Sequence, residues 1–178
     1  MTLAALQQLI FAACALASDR RFVVLGSASL LASFPDLGEE DSPLSTTYDA
    51  DLCPEPFDEL TAIMLDEALG EQRAYYRRHG YHADILNDSI LDTLPRGWRE
   101  RLVSVPNCRE AFALDPADLL SVKLLVGRPK DLALVRQIHS RGLVDPSVVR
   151  NRLRQFDIPA ELTPRLLANF EHTMGRDT

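Results

Sequence analysis

A mixed α/β fold is what this sequence predicts: a small mixed sheet flanked by helices, followed by a helical C-terminal half. Three observations lead there. Residues 21–25 and 81–86 are short apolar runs bounded by glycine, asparagine or charge, the mark of buried strands. Leu3, Leu6, Ile10 and Ala13 recur at helical spacing. From Asp115 onward the pattern is almost all helix, and Asp115-Pro116 and Asp145-Pro146 each read as an N-cap followed by proline at the first helical position.

In chain order, an amphipathic first helix precedes the strand Arg21-Phe22-Val23-Val24-Leu25. Gly26-Ser27 stops that strand, and residues 28–34 read as a helix. Residues 35–45 form an acidic loop, and residues 46–52 a second strand ended by Pro54 and Pro56. Residues 57–79 are helical with a break at Gly70, and residues 81–86 make the third strand. Leu94-Pro95-Arg96-Gly97-Trp98 is a turn, and residues 101–105 and 111–114 are further strands. Helices are expected at 116–127, 129–141, 146–156 and 160–174. The chain therefore divides into an α/β core at 1–114 and a helical region at 115–178 packed on it.

Composition narrows the function. With 178 residues, 46% hydrophobic and 25% charged, the chain can bury a core without a metal or disulfide staple. Its net charge is −7, so charge alone does not draw it to nucleic acid, though a local basic patch is compatible with that total. Cys14, Cys53 and Cys108 are odd in number and share no CxxC spacing, which excludes a disulfide framework or a cysteine zinc site. The apolar stretch 9–18 is preceded by no Lys or Arg, unlike a signal peptide, and a cytoplasmic location is expected.

Four groups of residues are able to carry chemistry. Gly26-Ser27 lies between a strand and a helix, where backbone N–H groups and a hydroxyl can meet a phosphate. The plain alternative is a turn and a helix cap. Asp49-Ala50-Asp51 puts two carboxylates on one face of a strand, since side chains alternate. Such a pair repels itself unless the acids are solvated or share a divalent cation, and Mg²⁺ prefers oxygen ligands. Asp84 sits within the third strand with His82 on its face, so adjacent strands would bring three carboxylates together. The alternative is a solvent-facing acid near a strand end.

The fourth group is Lys123 with Arg128, Lys130 and Asp131. Arginine supplies 17 of the 19 basic residues, and both lysines lie in this one segment. Lys123, on a helix dense in Leu and Val, either snorkels to water or reaches an anionic ligand, and Asp131 either caps the next helix or pairs with a cation. A ligand-seeking Lys123 is removable without loss of stability in the free protein.

Together these residues resemble the nucleotidyltransferase-fold superfamily, which includes DNA polymerase beta, the minimal nucleotidyltransferases and the AbiEii-type toxins. The resemblance begins with Val23-Val24-Leu25-Gly26-Ser27 and Asp49-x-Asp51. It extends through Leu94-Pro-x-Gly97-Trp98, Asp115-Pro116-x-Asp118-Leu119-x-x-x-Lys123-Leu124 and Arg128-x-Lys130-Asp131, which are similar to a bacterial family of uncharacterised nucleotidyltransferase-like proteins. The resemblance implies that Gly26, Ser27 and Lys123 hold the triphosphate of an NTP, and that Asp49, Asp51 and Asp84 are catalytic and bind Mg²⁺. The spacer from Ser27 to Asp49 is longer than in the minimal enzymes and is expected to carry a loop over the site. The implied activity is transfer of a nucleotidyl group to an acceptor hydroxyl on tRNA, a protein or a small molecule. The competing expectation is an inactive relative that binds nucleotide or acts as an antitoxin-type partner.

Overall fold

The computed structural model describes residues 1–175, which form two compact units. The first comprises residues 1–92 and 101–115, and the second residues 93–100 and 116–175.

The first unit holds the whole five-stranded sheet. Helix α1 (Leu3–Leu16) is capped by Thr2, whose hydroxyl accepts from the Ala5 N–H at 3.2 Å, and it buries Leu6, Leu9, Ile10 and Ala13. Strand β1 (Arg21–Val24) leads into a 3-10 helix (Ser27–Ala32), and strand β2 is Asp49–Glu55. Helix α2 (Glu59–Leu69) starts at Asp58, which accepts from the Thr61 N–H at 2.9 Å. A short helix α3 (Ala74–His79) ends at Gly80, whose φ of +78° is the left-handed C-cap that glycine takes without cost. Strands β3 (His82–Ile85), β4 (Val103–Ser104) and β5 (Ala111–Ala113) complete the sheet.

The strand order is β3-β2-β1-β5-β4. β1 runs antiparallel to β2 and parallel to β5, β2 and β3 are parallel, and β4 and β5 are antiparallel, so the sheet is mixed, as the sequence predicts. Phe22, Val23, Val24, Ala50, Leu52, Ala111 and Ala113 are buried in it.

Two local expectations change. β2 begins at Asp49 and runs through Pro54 to Glu55 instead of spanning 46–52. Leu52 offers its carbonyl to the Leu86 N–H, so the even residues of β2 face β3, and β3 is already finished opposite Pro54. The missing proline N–H therefore interrupts no ladder bond. The helix expected at 28–34 is a tighter 3-10 turn, with the Ser29 N–H bonded to the Gly26 carbonyl.

The second unit is helical. Its helices are α4 (Pro116–Val126), α5 (Pro129–Ser140), α6 (Pro146–Leu153) and α7 (Thr163–Met174), and α4 packs against the other three. α4 is buried on nearly every side, including Asp118, Ser121 and Lys123. Gly127 (φ +68°) ends it and Pro129 opens α5. Asp145 caps α6 by accepting from the Ser147 N–H at 2.8 Å. Residues 93–100 belong here and not with the sheet-forming segments on either side; the Arg96 N–H donates to the Gln155 carbonyl at 3.0 Å. No described helix is long and apolar enough to cross a membrane.

Candidate metal centre

β2 and β3 are parallel and in register, with Asp49 beside His82 and Asp51 beside Asp84. Strand alternation sends these four side chains to one face and Ala50 and Ala83, both buried, to the other. One carboxylate oxygen from each of Asp49, Asp51 and Asp84 lies within 4.8 Å of the other two. At that spacing each pair of charges repels by roughly 1 kcal/mol even in a water-like medium.

The turn after β1 is shaped around this cluster. Gly26 has φ +58° and ψ −164°, a region essentially reserved for glycine. A β-carbon there would overlap Oδ2 of Asp51 and lie 2.9 Å from its carboxyl carbon. Glycine is thus required twice, by its backbone angles and by the space the carboxylate occupies. The Leu25 N–H donates to the Asp51 carbonyl at 2.8 Å, tying turn and strand together. Ser29, which sequence reasoning passed over, is fully buried, and its hydroxyl donates to the Gly26 carbonyl at 2.8 Å. Its place three residues after the turn glycine was the available signal. Ser27 opens the 3-10 helix, but its hydroxyl makes no hydrogen bond among the described residues, so it does not cap the helix.

The long spacer folds as the Ser27–Ala32 turn, a second 3-10 helix (Pro35–Gly38) and further turns. It buries Leu31, Leu37 and Leu44 and exposes Glu39, Glu40 and Asp41. The Met1 ammonium donates to the carbonyls of Leu44 and Thr47 at 2.8 and 2.6 Å, holding the approach to β2.

Charge in the cluster is uneven. Burial pushes the Asp84 carboxyl above its ordinary range; His82, two residues earlier on the same strand, opposes this, while Asp49, Glu71 and Asp66 add to it. Asp84 is therefore inclined to hold a proton more tightly than a free aspartate. His82 Nε2 lies 3.3 Å from Asp84 Oδ1.

The donor set fits a hard divalent cation. It is all oxygen, and the protein has left a glycine cradle so that one of its members can occupy the position it does. Such an ion would relieve the repulsion the strands impose.

Lys123 belongs to the helical unit. Its Nζ lies 2.9 Å from Oδ1 of Asp131, and Arg128 Nε lies 2.6 Å from Oδ2. Asp131 is 1% exposed. Burial would raise its carboxyl, but hydrogen bonds from Arg128 and Lys123, with their charges, outweigh it and hold the group below the usual range. This triad gives the buried Lys123 an anionic partner within its own unit. Asp118, also fully buried, faces Arg152 Nε at 3.1 Å.

A family model described as "Nucleotidyltransferase of unknown function (DUF6036)" matches residues 2–165. No curated protein and no solved structure matches the chain.

Proposed function

We propose that this chain, which belongs to the DUF6036 family of nucleotidyltransferases, moves a nucleotidyl group from an NTP to an acceptor hydroxyl with Mg²⁺ as cofactor. The observation that carries the reading is the convergence of Asp49, Asp51 and Asp84 on one sheet face, with Gly26 cleared to admit Asp51.

Asp49, Asp51 and Asp84 would hold the cation, which when bound neutralises phosphate charge and stabilises the attacking and leaving oxygens of an in-line displacement. The residues themselves supply the remainder. The side-chain-free backbone at Gly26 lets a phosphate approach the turn closely, and the Ser27 hydroxyl is an uncommitted donor beside it. Asp84, whose proton affinity is raised by burial and by Asp49, is suited to take the proton from the attacking hydroxyl at its carboxylate. The acceptor oxygen bonds to the α-phosphorus as its bond to the β-phosphate bridge breaks, so pyrophosphate departs and the product is a phosphodiester. The acceptor class (RNA, protein or small molecule) is open to the same experiment that tests the activity.

That experiment incubates the protein with each NTP labelled at the α-phosphate, Mg²⁺ and a cell extract. Label should pass to one class of acceptor and pyrophosphate should appear. Asp49→Asn should abolish both. Absence of transfer for all four nucleotides, with no NTP-dependent rise in melting temperature, sinks the enzyme reading.

A further inference from the structure

We infer that His82 is a positioning residue of this centre, whose Nε2–H sets the orientation of the Asp84 carboxylate toward the cation. The inference rests on the metal reading above and assigns a part to a residue that is not itself one of the three ligands.

On the two parallel strands the register makes a square: Asp49 and Asp51 on β2, His82 and Asp84 opposite them on β3. Three corners are carboxylates and the fourth is an imidazole. A fourth acid there would add repulsion. An imidazole there adds no acid and has a ring N–H that can point at the neighbouring oxygen.

Which nitrogen carries that proton follows from burial. His82 is 8% exposed, and its Nδ1 is buried without a hydrogen-bond partner. A buried N–H with nothing to donate to costs more than a bare lone pair, because donors are seldom left orphaned while acceptors sometimes are. A ring that carries one proton therefore holds it on Nε2, the nitrogen that lies 3.3 Å from Asp84 Oδ1. Tyr76 fixes the ring plane: its own ring stands edge-on to the imidazole, with centroids 5.2 Å apart at 86°. Asp84 needs such a support. Its side chain is 48% exposed, and only its other oxygen has then to be spared for a metal. Partners of this kind, which hold a ligand's second atom, typically matter 10- to 100-fold in metal affinity.

Two nearly isosteric amides separate this role from simple packing. In His82→Gln the amide nitrogen falls where Nε2 was; in His82→Asn it falls where Nδ1 was. Mn²⁺ titration followed by electron paramagnetic resonance reads affinity without any need for turnover. The dissociation constant should stay within about 3-fold of the parent in His82→Gln and rise about 10-fold or more in His82→Asn. His82→Phe, which keeps the ring against Tyr76 but donates nothing, should behave like His82→Asn. Circular dichroism identifies any variant that has lost its fold, and the comparison is made between those that retain it. Equal affinities for Gln and Asn, or a Phe variant as tight as the parent, overturn the role of His82 and leave the metal centre standing. A parent that binds no Mn²⁺ overturns the metal reading and this inference with it.

Discussion

Asp51 Oδ2 occupies the place where a β-carbon on Gly26 would have to be. A turn residue and a strand residue 25 positions apart have thus been fitted to one another. Gly26→Ala must either move the carboxylate or distort a turn already at φ +58°. It should cost about 1–3 kcal/mol in urea unfolding and weaken Mn²⁺ binding in the same variant. A Gly26→Ala protein as stable as the parent would mean that the turn relaxes freely.

Asp49→Asn should have opposite effects with and without metal. Removing one of three mutually repelling charges raises metal-free stability by less than about 1 kcal/mol, since Asp49 is exposed. The same change should erase most of the melting-temperature rise produced by Mg²⁺ and NTP together. A rise that survives in both Asp49→Asn and Asp51→Asn places the ion elsewhere.

Asp84 sets a pH dependence. Its carboxyl is raised in the folded state, so the folded chain holds this proton more tightly than the unfolded chain, whose carboxyl titrates near about 3.9. Stability from this group is fully present below that value and is lost as pH rises through the folded pKa. Asp84→Asn should therefore unfold at higher urea than the parent at pH 7, and the gap should close as pH falls below about 4. The size is a fraction of a kcal/mol for a half-exposed group. A gap that is unchanged with pH would assign the effect to packing.

Lys123 gives the reverse sign. The folded Asp131 is held below its ordinary range, so its contribution is present above about 3.9 and is lost as pH falls through the folded pKa. Lys123→Met leaves a buried carboxylate with Arg128 as its remaining cation and should cost about 2 kcal/mol at pH 7, less in acid. That departs from a lysine removable at no cost to the free protein, the expectation for a Lys123 whose charge serves a ligand's triphosphate. Urea unfolding at pH 7 and near pH 3 distinguishes the two.

The acids were legible in the sequence because alternation is a local rule: Asp49-x-Asp51 must share a face, and His82 and Asp84 likewise. That the two pairs meet depends on β2 and β3 being adjacent and in register, which no short window specifies. Pro54 misled because a proline ends a strand only where its N–H would have been used, and that depends on how far the neighbouring strand extends. An ion-pair partner of Lys123 was written eight residues away, but that its carboxylate is buried could not be read from the sequence. Residues 93–100 lie between sheet-forming segments in sequence and still fold with the helices, a separation that composition does not encode.

β3 is an edge strand, bonded within the sheet to β2 alone. The three carboxylates meet only while that edge is zipped, so opening it and dispersing the charges are one event. Repulsion works as a spring under the seam, and a cation works as its clasp. The His82 and Leu86 amides, which donate to the Tyr48 and Leu52 carbonyls at 2.9 Å, lie at the two ends of the seam. Their exchange with solvent would then slow when the centre is loaded, and the margin of the sheet would become a gauge of what the site holds.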